Sequence, residues 1–141
     1  MTDERLQREG LIRPLPPDRK RVTDARALAR RYLETARAML SVNSDWAYTI
    51  AYNAMLQAVR ALMFSQGYRP AGSHQHIAAV RYAEVHLERQ WSVQLDRMRR
   101  KRHASVYDTA GTIPGTEAEH AVVRAGEFFT VIERLLQEER I

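Results

Sequence analysis

The stretch DWAYTIAYNAMLQAVRALMFSQG, residues 45–67, is apolar around most of a helical circumference, and this property constrains the whole chain. A helix of that kind cannot lie on a surface. It needs neighbours on several sides, so the stretch predicts the central member of a helical domain, capped by Asp45 and ended by Gly67.

The neighbours are readable in the flanking sequence. Val22, Ala25, Ala29, Leu33, Ala36 and Leu40 recur at helical spacing with arginines between them and predict an amphipathic helix that ends around SVNSD. After the loop YRPAGS, Ser73 is a natural N-cap for a shorter helix over about 74–86. Trp91, Leu95, Met98 and Val106 carry a fourth helix, which DTAGTIPGT ends with two glycines and a proline. Thr116 with Glu119 reads as a capping box for a fifth helix, which runs on Ala118, Ala121, Val122, Ala125, Phe128, Phe129, Ile132, Leu135 and Leu136. Phe128 and Phe129 are adjacent, so both are buried only if the helix packs on two neighbours, and one of them is expected at a subunit interface. No segment shows strand alternation, so the expected fold is all-α, a five-helix up-and-down bundle. Pro14, Pro16 and Pro17 set residues 1–16 apart as a short mobile or peripheral segment ahead of a helical domain over 17–141.

The 141 residues suffice for one domain with one core. The absence of cysteine excludes disulfides, thiolate zinc sites and cysteine nucleophiles. MTDERLQREG has no apolar core of a secretory signal, and no run is long and apolar enough for a membrane span, so a cytoplasmic protein without membrane contact is expected.

The net charge of +5 points to phosphate-bearing partners because it is localised. In LDRMRRKRHASVYD, Arg97, Arg99, Arg100, Lys101 and Arg102 crowd together, and no acid occurs from Arg97 to Tyr107. They are the expected RNA- or phosphate-binding residues. Helical geometry sets Arg102 in line with Trp91, Leu95, Met98 and Val106, aiming a guanidinium at a packed seam. Its partner must lie in the fold, across a subunit interface or on a ligand. Asp96, Arg100, His103 and Tyr107 fall on a second, polar face. An imidazole beside guanidinium groups supplies the parts for metal-independent RNA cleavage by the substrate's own 2′-hydroxyl, although no second acid or base can be picked out from the sequence. A solvated charged face is the plain alternative.

Tyr48, Tyr52 and Trp46 on the central helix read as core or dimer contacts before base-stacking groups. His74 and His76, two apart at a helix start, face different directions and read as capping or loop contacts. No metal site and no cofactor are expected.

AYTIAYNAMLQAVRALMFSQGYRP, then SHQHIAAV, then LDRMRRKRHASVYD resembles the HEPN family, all-helical domains of prokaryotic toxin–antitoxin and defence loci. The likeness spans about residues 20–137. It implies a HEPN-like five-helix bundle that dimerises with two arginine motifs at a shared cleft, and a minimal nucleotidyltransferase as partner. Ribonuclease members carry an arginine followed, after four to six residues, by a histidine. In the phase that fits the apolar seam, Arg102 takes the arginine position, His103 an asparagine position and Tyr107 the histidine position, so the catalytic residues implied are Arg102, His103 and Tyr107. A phenol with a pKa near 10 is a poor base at neutral pH. A second phase pairs Arg97 with His103. Tyr107 is also the candidate for modification by the partner. The expected function is an RNA- or nucleotide-binding component of such a locus. The alternatives are a metal-independent endoribonuclease using His103 and its neighbouring arginines, and a helical interaction protein with an incidental basic face.

Overall fold

The structure is a computed structural model that describes residues 1–104, 111 and 113–138. Its elements are α1 (Asp3–Arg8), β1 (Ile12–Pro14), α2 (Arg19–Met39), α3 (Ser44–Ser65), β2 (Tyr68–Pro70), α4 (Gln75–His86), α5 (Arg89–His103) and α6 (Gly115–Glu138). The all-α bundle expected from the periodicity is present, with α1 as a short sixth helix. None of the described helices is long and apolar enough to cross a membrane.

α3 is the centre of the bundle. Its alanines at 47, 51, 54, 58 and 61 are buried together with Tyr48, Tyr52, Met55 and Leu62, so small and large side chains alternate and neighbouring helices approach closely. α2 packs most extensively against it and α6 next, while α5 and α4 close the remaining side. Trp46, expected as a core or dimer contact, is 53% exposed on the first turn of α3 and so lies outside the core. Phe128 is buried and Phe129 lies half-buried under the Arg30 guanidinium, 5.7 Å from the ring centre, so the two adjacent phenylalanines do serve different surroundings.

Helix ends show where local chemistry was read one step off. Asn43, not Asp45, caps α3, its side chain accepting from the Trp46 N–H at 3.0 Å. Asp45 turns outward and accepts from the backbone N–H groups of Gly111 and Ile113, the latter at 3.1 Å, fixing the chain that leads into α6. His74 rather than Ser73 stands at the N-cap of α4 and makes no side-chain capping bond. α6 begins at Gly115, so Thr116 sits inside the helix and not at its cap. Gly67 does end α3, with a φ of +88° that a residue bearing Cβ adopts only under strain.

Residues 1–16, expected as a mobile or peripheral segment, are docked onto the bundle. Leu6 and Ile12 are fully buried in the core, and β1 pairs antiparallel with β2 in the register Ile12↔Pro70, Arg13↔Arg69 and Pro14↔Tyr68. Arg13 and Arg69 each precede a proline, which pushes both towards extended backbone, and they face each other in the ladder. Two further bonds extend the ribbon, from Leu15 N–H to the Gly67 carbonyl and from Ala71 N–H to the Leu11 carbonyl, both 2.9 Å. His86 Nε2 lies 2.8 Å from the Asp3 carboxylate and ties α1 to α4.

Candidate functional site

The last turn of α5 carries Arg100, Lys101, Arg102 and His103, where the partial negative charge of the helix C-terminus favours cations. Within this cluster the side chains separate by face. Trp91, Leu95 and Met98 are buried against the bundle, and Arg102 continues their line, half-buried with its Nε withdrawn from water. On the next face Asp96 holds two guanidinium groups: Arg99 at 2.9 and 3.1 Å, and Arg100 at 3.2 Å. Lys101 points to α6, with Nζ 3.7 Å from Glu117. Arg97 is exposed and its charge acts on Tyr48. Tyr107, named above as a catalytic and a modification candidate, lies outside the described residues, as does Val106.

The start of α4 faces this turn. Ser73, His74, Gln75, His76 and Ile77 on one side, and Arg99, Arg102 and His103 on the other, enclose a cleft of about 410 Å³. The fold thus brings Arg99, Arg102 and His103 to one cavity and leaves Arg97, Arg100 and Lys101 outside its lining.

His76, one of the lining residues, is held by a side chain of α3. Tyr52, fully buried, places its hydroxyl 2.7 Å from His76 Nδ1, and the two rings stack with centres 5.6 Å apart and planes 13° from parallel. Burial lowers the pKa of His76, and the charges of Arg102 and Arg99 lower it further. His76 is therefore kept neutral at neutral pH. Burial also raises the pKa of the Tyr52 phenol against the opposing pull of Arg102 and Arg99, so the hydroxyl keeps its proton. The sequence reading assigned Tyr52 to the core and His76 to a cap or loop. Tyr52 is in the core, and His76 turns inward to meet it; nothing in either local pattern signals this contact between α3 and the first turn of α4.

A larger groove of about 680 Å³ runs between α2 and α6, lined by Arg37, Leu40, Val123, Gly126 and neighbours. It contains no histidine or tyrosine. The smaller cleft is the one of the two lined by histidines, whose unperturbed side chain titrates closest to neutral pH. Among the described residues no three His, Asp or Glu side chains converge to hold a metal ion.

Comparison with known proteins agrees with this architecture. The model of the HEPN domain family matches residues 23–135, which takes in α3, α4, α5 and most of α6. Among solved structures, the crystal structure of TT1696 from Thermus thermophilus is similar, with a TM-score of 0.67 at 19% sequence identity, covering 81% of this chain and 97% of that one. At that identity the likeness establishes the fold. A search of curated proteins gives no match.

Proposed function

Because this chain belongs to the HEPN domain family, whose functions concern RNA and nucleotides, we propose that it binds RNA or a nucleotide by a phosphate held in the α4–α5 cleft. One observation carries the reading: two guanidinium groups, Arg99 and Arg102, line the same cavity as His74, His76 and His103. Guanidinium groups bind phosphate oxygens in pairs, and a partly shielded one binds more strongly than one in open water. Arg97, Arg100 and Lys101 lie on the same helix outside the lining and add to the positive potential that draws polyanions towards it. The family resemblance supports a homodimer that sets two such α5 helices at a shared cleft. It also supports a place in a toxin–antitoxin or defence-type locus beside a minimal nucleotidyltransferase, with Tyr107 as the residue modified.

Fluorescence anisotropy with a labelled single-stranded RNA oligonucleotide in EDTA tests the cleft. Affinity should fall steeply with added salt. Arg102→Ala should weaken binding by about 10-fold or more, corresponding to about 1.4 kcal/mol. A flat salt dependence, or an Arg102→Ala protein that binds as wild type, would return the basic face to a solvated surface. Light scattering reads the dimer.

A second reading, the metal-independent endoribonuclease, is favoured by one feature: His103 shares the cleft with Arg102. An exposed histidine alone is weak support.

A further inference from the structure

We propose that His76, held by Tyr52, is the proton-accepting residue of an RNA-cleaving cleft in which His103 is the proton donor. The inference rests on the α4–α5 cleft being the RNA site. It assigns to two residues, on α3 and α4, the role that the arginine-rich helix lacks.

Cleavage by a ribose 2′-hydroxyl needs three things in one place: a base for the hydroxyl proton, positive charge for the phosphorane, and an acid for the departing 5′-oxygen. Arginine supplies only the second, since it stays protonated. The cavity provides the other two as separate imidazoles, His76 from the α4 wall and His103 from the α5 wall, with Arg99 and Arg102 lining the same space. A volume of about 410 Å³ lies in the range of small-ligand clefts, about 300–1,000 Å³.

His76 is distinguished from the other histidines of the cleft by its support. His74 and His103 are exposed, while His76 is half-buried and fixed through Nδ1 by the 2.7 Å contact with the Tyr52 hydroxyl and by ring stacking. A base needs its lone pair on Nε2, so Nδ1–H donates to the Tyr52 oxygen, and this bond sets the tautomer and the ring orientation. Tyr52 is a positioning residue. The groups facing His76 are Tyr52 from α3, Arg99, Arg102 and His103 from α5, and His74 from its own helix. Burial and the two guanidinium charges hold the imidazole in the unprotonated form that a base requires.

In the step proposed, His76 Nε2 takes the 2′-hydroxyl proton as the 2′-oxygen bonds to phosphorus. The bond from phosphorus to the 5′-oxygen breaks, and protonated His103 gives its proton to that oxygen. The products are a 2′,3′-cyclic phosphate and a 5′-hydroxyl. One proton has been gained by His76 and one lost by His103, and exchange with water restores both.

The test incubates the full chain in EDTA with a pool of single-stranded RNA oligonucleotides and with transfer RNA. It follows cyclic phosphate ends alongside RNA affinity. Wild type should cleave. His76→Gln, which retains a hydrogen-bonding group for Tyr52, should lose about 100-fold or more in rate with RNA affinity and thermal midpoint preserved. Tyr52→Phe should lower kcat and move the acidic limb of the pH–rate profile to lower pH, because the imidazolium loses its hydrogen-bond acceptor. His76→Gln cleaving at the wild-type rate, or wild type that binds RNA and releases no cyclic phosphate, overturns the assignment of His76. A rate loss in Tyr52→Phe without movement of the limb overturns the role of Tyr52. Failure of wild type to bind RNA at all would instead remove the phosphate-cleft reading beneath it.

Discussion

The Tyr52 hydroxyl and His76 Nδ1 stand 2.7 Å apart, joining the central helix α3 to the first turn of α4 at the edge of a cationic cleft. The burial of His76 at this junction couples stability to pH. The pKa of His76 is lowered from 6.5 by burial, then by Arg102 and Arg99, so as pH falls the unfolded chain takes up a proton before the folded one does. The contribution is therefore fully present above about pH 6.5 and is lost as pH falls from there through the folded value. Chemical denaturation across this window should show wild type losing stability more steeply than His76→Gln below about pH 6.5. Parallel slopes for the two proteins would remove the coupling.

The adjacent phenylalanines of α6 should separate sharply in stability. Phe128 is fully buried, edge-on to Trp91 with ring centres 5.5 Å apart, and the Arg124 guanidinium lies over the same indole at 4.3 Å. Phe128→Ala should cost about 3–5 kcal/mol through lost burial and a cavity. Phe129 is half-buried, and Phe129→Ala should cost about 1 kcal/mol. Urea titration measures both, and comparable losses would contradict the packing described.

These contrasts show what a one-dimensional pattern carries. Trp91, Leu95, Met98 and Arg102 lie on one helix, so their common line and the half-burial of Arg102 follow from helical periodicity alone. The bundle was legible for the same reason. The β1–β2 ribbon was not, because its signal is two Arg-Pro steps far apart in sequence and not an alternating apolar run. His76 is legible as a residue at a helix start, but its neighbours Tyr52, Arg99 and Arg102 come from other helices. Local patterns assign residues to elements, and only the packing of elements assigns them to a site.

α2 and α6 are clamped by a charged contact that the apolar stripes did not reveal. Arg26 donates through Nε and Nη2 to the two oxygens of Glu133, at 3.0 and 2.5 Å, and Arg30 approaches the same carboxylate at 3.6 Å. Both Arg26 and Glu133 side chains are mostly shielded, so the pair escapes much of the screening that weakens surface ion pairs. Glu133→Ala leaves two guanidinium groups facing each other without their carboxylate. A loss of roughly 1–3 kcal/mol is expected by chemical denaturation. Arg30→Ala, which removes the longer and more exposed contact, should change stability by less than about 0.5 kcal/mol.

Asp45 and Asn43 offer the sharpest test of how this fold uses its polar residues. Both stand at the start of α3, and either type can cap a helix. Asn43 does so, whereas Asp45 reaches across to the backbone N–H groups of Gly111 and Ile113, ahead of α6. Asn43→Ala removes a cap and should cost about 1 kcal/mol, with its effect confined to the first turn of α3. Asp45→Ala strips two amides of a charged acceptor and should cost roughly 1–3 kcal/mol. The two losses are close in size, so the location decides. Hydrogen exchange at Gly111 and Ile113 should accelerate in Asp45→Ala and stay unchanged in Asn43→Ala, since only the first substitution releases the segment that seats α6 against α3. Unchanged exchange at both amides in Asp45→Ala would mean that α6 is seated by its apolar face alone.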